Sequence, residues 1–194
     1  MPVSNQRRVF AYKSTRSPYS RPKPVNRQKG RRGQYIDPAR FIRVATPAEA
    51  ADYTPSNMFA DFAFDKRLHD NISRKGYQTP TPIQDATIAY GLAGKDVIGI
   101  ADTGTGKTAA FSLPVLHRIM TDVTCRALVV APTRELAMQI DDEMRQIGRG
   151  GGFTGALLIG GSGYGPQLRD LRSKPRIVIG TPGRIKDHVE RGTL

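Results

Sequence analysis

Tryptophan is absent from this chain of 194 residues, and cysteine occurs only once, as Cys125. A single thiol excludes an internal disulfide framework and a thiolate metal site, so we expect a reducing compartment and predict a cytoplasmic location. No apolar run approaches the roughly 20 residues that a membrane helix needs. The N-terminus also has no apolar core of a secretory signal. These absences exclude secreted disulfide scaffolds and predict no membrane partner.

Acidic residues are missing from residues 1–33, which hold ten Lys or Arg. The whole chain has a formal charge of +13, whereas residues 34–194 carry twenty basic and seventeen acidic side chains and hence only +3. A segment so basic, proline-containing and poor in apolar residues cannot bury enough surface to fold. We therefore predict a disordered basic tail and linker over 1–55 and a folded domain over 56–194. The tail suits attraction to nucleic acid; the alternatives are a solubilising linker or an organelle transit peptide, and the prolines argue against the latter.

An octet in the middle of the chain has the composition of a phosphate-binding loop. Its residues are Ala101, Asp102, Thr103, Gly104, Thr105, Gly106, Lys107 and Thr108. The two glycines let backbone N–H groups turn toward phosphate oxygens. Lys107 can reach the β- and γ-phosphates, and the Thr108 hydroxyl can hold Mg²⁺. We predict that the chain binds a nucleoside triphosphate, although the usual pattern begins with Gly rather than Ala.

Short apolar segments alternate with helical patterns along the second half of the chain. The predicted strands are 97–101, 127–131, 156–159 and 176–179. Apolar residues at helical spacing predict an amphipathic helix through Leu136, Ile140, Met144 and Ile147. Further helices are predicted over 65–75, from Thr81 onward and over 108–120. Strands that alternate with helices predict an α/β fold with a parallel sheet covered on both faces, whose ligands gather at the carboxyl ends of the strands.

Five sequence motifs follow one another in a distinctive order. They are Phe59 with the stretch 76–84, the octet 101–108, the stretch 132–137, the pair Gly160 and Gly161, and the stretch 181–184. Together they resemble the amino-terminal RecA-like domain of the DEAD-box RNA helicases, whose members typically carry Ala at the first position of the octet. The resemblance implies a RecA-like phosphate-loop NTPase domain.

The resemblance implies an ATP site formed by the octet together with Phe59, Tyr77, Thr79 and Gln84. An amide such as Gln84 presents a donor and an acceptor side by side, which suits N6 and N7 of adenine. Phe59 is expected to stack on the base. Lys107 and Thr108 are the expected catalytic residues, with Mg²⁺ held by Thr108. The alternatives are a surface glutamine at position 84 and a core phenylalanine at position 59.

The resemblance further implies sequence-independent contacts with the RNA backbone. The residues concerned are Pro132, Thr133, Arg134, Gly160, Gly161, Thr181, Pro182, Gly183 and Arg184. A cation at a strand end and a threonine at a helix N-terminus suit phosphate oxygens rather than base edges. Exposed arginines or structural ion pairs are the alternative for Arg134 and Arg184. Residues 141–143, all acidic, are predicted to form a solvated helix face.

We therefore expect a monomeric ATP-dependent RNA helicase that uses ATP and Mg²⁺. The family places an Asp-Glu-Ala-Asp stretch on the next strand, then a Ser-Ala-Thr element and a second RecA-like domain, and none occurs in this sequence. The expectation is a truncated domain that binds ATP weakly without efficient turnover and leaves a sheet edge uncovered. Two alternatives stay open: a non-catalytic RNA- or nucleotide-binding remnant, and a different phosphate-loop kinase or GTPase.

Overall fold

The computed structural model describes residues 53–194, so nearly all of the predicted tail, residues 1–52, lies outside the described part of the chain. A 3₁₀ turn at Phe59–Asp61 precedes six helices and three strands. The helices are α1 (Lys66–Arg74), α2 (Pro82–Leu92), α3 (Lys107–Thr121), α4 (Arg134–Ile147), α5 (Tyr164–Arg172) and α6 (Pro182–Glu190). The strands are β1 (Ala127–Val130), β2 (Gly155–Leu158) and β3 (Ile177–Gly180).

Local sequence signals explain where the helices that carry the motifs begin. Asp65 caps α1, because its side chain accepts a hydrogen bond from the backbone N–H of Arg67. Pro82 occupies the first turn of α2, where its missing N–H costs nothing. Thr133 caps α4 by accepting a hydrogen bond from the N–H of Leu136 at 3.2 Å. The caps place the start of α4 immediately after β1.

The three strands form one parallel sheet in the order β1-β3-β2. Ile177 and Ile179 of β3 face a core cluster shared with α1, α3 and α4. Val178 faces the opposite side, where it packs with Ile185 of α6 and with residues of β2. Alternate residues of the central strand therefore enter two separate cores, which confirms the predicted α/β fold with helices on both faces.

The predicted strand over 97–101 is wrong. These residues pair with no strand among residues 53–194, and the side chains of Ile98 and Ile100 are 93% and 92% exposed. A cleft of about 610 Å³, lined in part by Val97, Gly99 and Ala127, separates the segment from β1. The apolar run has the composition of a buried strand, but no neighbouring strand offers it the hydrogen bonds that would make it one.

The edge strand β1 of the sheet is partly uncovered. In the described part of the chain, β1 pairs only with β3, and its residues Leu128 and Val130 are 55% and 53% exposed. The α5 and α6 layer covers β2 and β3 and leaves this face of β1 in contact with solvent. Within residues 53–194, no helix is both long and apolar enough to span a bilayer.

Candidate functional site

The predicted phosphate-binding loop, residues 101–108, connects the 97–101 segment to the N-terminus of α3. Gly104 and Gly106 have positive φ values of 82° and 87°, a backbone conformation that side-chain-bearing residues rarely adopt. Lys107 donates from Nζ to the carbonyl oxygens of Ala101 at 2.5 Å and Asp102 at 2.6 Å. The Thr105 hydroxyl donates to the same Asp102 carbonyl at 2.7 Å. The ammonium group that would meet phosphate is therefore held by the carbonyls of its own loop.

Gln84 links α2 directly to this loop. Its Nε2 donates to the carbonyl oxygen of Gly106 at 3.1 Å, and its Oε1 accepts from the N–H of Thr81 at 2.9 Å. The Thr81 hydroxyl donates to the carbonyl oxygen of Thr105 at 2.7 Å. A Cβ at position 106 would clash with the Gln84 amide, so glycine is needed there for this approach as well as for its φ. One amide hydrogen and one lone pair of Gln84 make no hydrogen bond within residues 53–194, and the residue is only 5% exposed.

Phe59 and Tyr77 form an aromatic pair beside α2. Their ring centroids lie 5.8 Å apart at an interplanar angle of 25°, and Phe59 is only 4% exposed. The Tyr77 hydroxyl donates to Glu143 of α4 at 2.9 Å. Burial, followed by the hydrogen bond and charge of Glu143, raises the pKa of Tyr77 to about 12. In this arrangement Phe59 belongs to the core, which is the geometry of the packing alternative.

Glu143 corrects the prediction of a solvated acidic face over 141–143. Its carboxylate accepts from Lys75 Nζ at 2.7 Å as well as from Tyr77, and it is only partly exposed. Helix spacing alone could not find this contact, because the partners lie 66 and 68 residues away in the chain. Asp141 pairs with Arg145 on the same helix, so only Asp142 keeps an exposed position, where it accepts from the Gln146 amide.

Asp85, which the sequence analysis did not single out, ties the chain before Phe59 to α2. Its carboxylate accepts from the Tyr53 hydroxyl, the N–H of Ser56 and the Asn57 amide at 2.6–2.7 Å. Hydrogen bonds from Tyr53 and Asn57 hold the pKa of Asp85 below its ordinary value. An acid next to the glutamine of the motif was the only signal in the sequence. Thr79 lies exposed in the turn before α2.

The hydroxyl oxygen of Thr108 is chemically suited to bind magnesium. The residue is partly exposed in the first turn of α3, and among residues 53–194 its hydroxyl makes no hydrogen bond. A neutral hard oxygen suits Mg²⁺, which takes most of its other ligands from phosphate and water. No cluster of three acidic, His or Cys side chains suited to a metal occurs in the same range.

The second group of predicted residues follows the carboxyl ends of all three strands. Thr133 and Arg134 come after β1, Gly160 and Gly161 after β2, and the stretch 181–184 after β3. The exposed Arg134 guanidinium lies over the glycine pair, so a Cβ on Gly161, whose φ is +81°, would clash with it. The three motifs therefore meet at one end of the sheet, as the parallel arrangement predicts. Pro132, Pro182 and Gly183 are exposed beside them.

Arg184 is held more tightly than its expected contact with RNA requires. Its guanidinium stacks on the Tyr164 ring at 4.2 Å, donates to the carbonyl oxygen of Ser162 at 3.2 Å and lies 3.8 Å from Asp187. Only 11% of its side chain is exposed. This is the geometry of the structural alternative, and Arg134 is the arginine with the freer guanidinium.

His188 is a buried histidine behind this surface, and it predicts a pH dependence of stability. Burial, followed by the charges of Arg184 and Arg191, lowers the pKa of His188, whereas Asp187 opposes the shift. The folded state resists the proton that the unfolded chain accepts near pH 6.5, so stability is complete above that pH and falls below it. We expect acidification from about pH 7.5 to 5.5 to lower the Tm several degrees less in His188→Gln than in the parent.

Circular dichroism melts at the two pH values measure this effect. Equal losses in the parent and in His188→Gln would contradict the prediction.

Comparison with known proteins identifies the family to which this sequence is similar. Residues 81–194 match the model of the family described as DEAD/DEAH box helicase. The ATP-dependent RNA helicase CshA of Listeria monocytogenes is 46% identical over 137 residues, which cover 70% of this chain and 26% of that protein. The ATP-dependent RNA helicase DeaD of Mycobacterium tuberculosis is 46% identical over 152 residues, covering 74% and 26%. The chain thus spans about a quarter of the length of these relatives.

The chain is also similar to solved structures of related proteins. A hypothetical ATP-dependent RNA helicase from Sulfolobus tokodaii superposes with a TM-score of 0.62 at 36% identity, over 68% of this chain and 38% of that one. A DEAD box protein from Methanococcus jannaschii gives a TM-score of 0.65 at 35% identity, over 71% and 38%. Both support the α/β fold described above.

Proposed function

Because this chain belongs to the DEAD/DEAH box helicase family, we propose that it binds ATP and an RNA backbone as part of an ATP-dependent RNA helicase. The observation that carries the proposal is the direct contact between Gln84 and the phosphate-binding loop. A residue suited to reading adenine and a loop suited to holding phosphates are joined by one hydrogen bond. Family membership also argues against a kinase or GTPase.

ATP binding by this site requires a local exchange of partners. The β- and γ-phosphates would take Lys107 Nζ from the carbonyl oxygens of Ala101 and Asp102, and the loop N–H groups would turn onto the phosphate oxygens. Gln84 would keep its bond to Gly106 while its free hydrogen and lone pair meet adenine. The Phe59 ring lies in the core and would have to become accessible before it could stack on the base. Stacking of Phe59 therefore stays a prediction.

Magnesium, when bound, would neutralise charge on the phosphates, and Thr108 is the residue that would hold it. β1, β2 and β3 are followed by Ala131, Ile159 and Thr181, so none of these strand ends offers a carboxylate to the metal. Weak ATP binding without efficient turnover therefore stays our prediction for the chain as given. Unwinding of RNA would belong to the whole enzyme.

RNA would lie across the carboxyl ends of the strands. Arg134 offers an exposed cation, while Gly160 and Gly161 lack side chains that would keep a phosphate from the backbone. Thr181 stands before α6, whose N-terminus favours an anion. These contacts address phosphates and carry no base preference. A second RecA-like domain, a monomeric state, cytoplasmic location and RNA binding by the basic tail remain predictions.

A nucleotide titration tests the proposal. We expect the chain to bind a fluorescent ATP analogue at least about tenfold more tightly than the matching GTP analogue, because a mismatched donor and acceptor pair costs roughly 1–3 kcal/mol. Gln84→Glu removes the donor and should abolish the preference, whereas Gln146→Glu, on an exposed face of α4, should leave it unchanged. Equal affinity of the parent for both analogues would refute the assignment.

A further inference from the structure

A buried polar chain lies behind the glycine pair and belongs to none of the motifs. Gln167 of α5 and His188 of α6 are 3% and 0% exposed. Their side chains meet through Gln167 Oε1 and His188 Nε2 at 3.3 Å, and His188 Nδ1 lies 2.8 Å from the Thr193 hydroxyl. Burying a polar side chain costs free energy unless its hydrogen bonds are satisfied.

The hydrogen-bond partners determine which way the Gln167 amide points. Its Nε2 lies 3.1 Å from the carbonyl oxygen of Ile159, 2.7 Å from Ser162 Oγ and 3.3 Å from the carbonyl oxygen of Gly163. Carbonyl oxygens only accept hydrogen bonds, so the NH₂ group must face them and Oε1 must face His188. His188 Nε2–H therefore donates to Gln167 Oε1.

All three acceptors of Gln167 lie on the loop that carries Gly160 and Gly161. The amide holds this loop at both ends, before the glycine pair through Ile159 and after it through Ser162 and Gly163. Arg184 donates a further hydrogen bond to the same loop, at the carbonyl oxygen of Ser162. Gln167 thus fixes the path of the loop that carries Gly160 and Gly161.

We propose that Gln167, oriented by His188, is a positioning residue for binding of the RNA backbone. It touches no RNA itself but holds loop 159–163 so that the backbone of Gly160 and Gly161 faces the Arg134 guanidinium. The inference deepens the proposed function and rests on it. It adds a residue of α5, an element that contributes none of the predicted contacts.

RNA affinity of the whole 194-residue chain tests this role. With a short fluorescent oligouridylate and a non-hydrolysable ATP analogue, we expect Gln167→Met to weaken RNA binding about five- to tenfold through loss of the loop contacts. Affinity for the ATP analogue should stay within about twofold of the parent, because Gln167 does not touch the nucleotide loop. Unchanged RNA affinity in Gln167→Met would overturn the proposal.

Asn71→Leu is the matched control for loss of a buried amide. Asn71 is 4% exposed, and its Nδ2 donates at 2.8 Å to the carbonyl oxygens of Ile147 and Arg149, which do not belong to loop 159–163. The variant should lower the Tm yet retain RNA affinity. An equal loss of RNA affinity in both variants would show a merely structural effect and would also overturn the proposal.

A second variant covers the case in which Gln167→Met does not fold. Ser162→Ala removes one partner of the buried Gln167 amide from the exposed side of the loop, and we expect faster hydrogen exchange of the Gln167 side-chain amide with an unchanged Tm. Unchanged exchange would contradict the role of Gln167. If the parent itself binds no RNA, the proposed function fails, whereas the exchange measurement still judges the loop contacts.

Discussion

Lys107→Ala is expected to lower the affinity for ATP by roughly 100-fold, the largest effect of any single substitution, because it removes charge-assisted hydrogen bonds to two phosphates. In the structure the same ammonium group bonds the carbonyl oxygens of Ala101 and Asp102. The variant therefore also removes the Lys107 bond from both carbonyl oxygens, although the Asp102 carbonyl keeps its bond from the Thr105 hydroxyl. Titration with a fluorescent ATP analogue measures the loss.

Lys186→Ala is the control for removal of one positive charge. Lys186 lies on α6, is 74% exposed and pairs with Glu190, so its loss should change ATP affinity by less than about twofold. Thermal melts of both variants separate binding from folding. Equal ATP affinity in Lys107→Ala and the parent would remove the phosphate-binding role from the octet.

Arg134→Gln is expected to weaken RNA binding about tenfold and to reduce the salt dependence of binding by roughly 0.7 in log–log slope, the value for one phosphate contact with a single strand. The guanidinium is exposed over Gly160 and Gly161 and enters no ion pair among residues 53–194. It can therefore meet a phosphate without first losing a protein partner. Anisotropy titrations at several salt concentrations measure both quantities.

Arg149→Gln makes the same change of charge just beyond the opposite end of α4. It should leave the salt slope and the affinity close to those of the parent if the contact belongs to Arg134 in particular. A loss of similar size in both variants would mean that RNA responds to net charge alone, and the assigned contact would be wrong.

Regular local patterns were enough to predict most of the fold. The spacing of Leu136, Ile140, Met144 and Ile147 found α4, and the short apolar runs found β1, β2 and β3 to within about two residues. The octet and the strand-end motifs were recognisable because their chemistry depends on residues that are neighbours in the chain. The meeting of Arg134 with the glycine pair followed from parallel strands alone.

Contacts between distant residues were beyond the reach of the sequence. Glu143 directly precedes Met144 of a clear amphipathic stripe, yet its partners Lys75 and Tyr77 come from another part of the chain. Similarly, nothing in the motif around Arg184 reveals the Tyr164 ring that holds it. The strand predicted over 97–101 failed for a related reason, since strand formation depends on a neighbour rather than on composition.

That isolated segment has a mechanical consequence for the triphosphate site. Residues 97–100 lead directly into the loop, but no strand among residues 53–194 pairs with them, and a Cβ at Gly99 would meet Ile83 and Thr87 of α2. The stiffness of the loop therefore comes from its far side, through Thr81, Gln84 and Lys107. A β-strand that entered the cleft beside Val97 could pair with residues 97–100 and stiffen that end of the loop as well. Pairing of such a strand with the sheet would then be coupled to the affinity of the loop for phosphate.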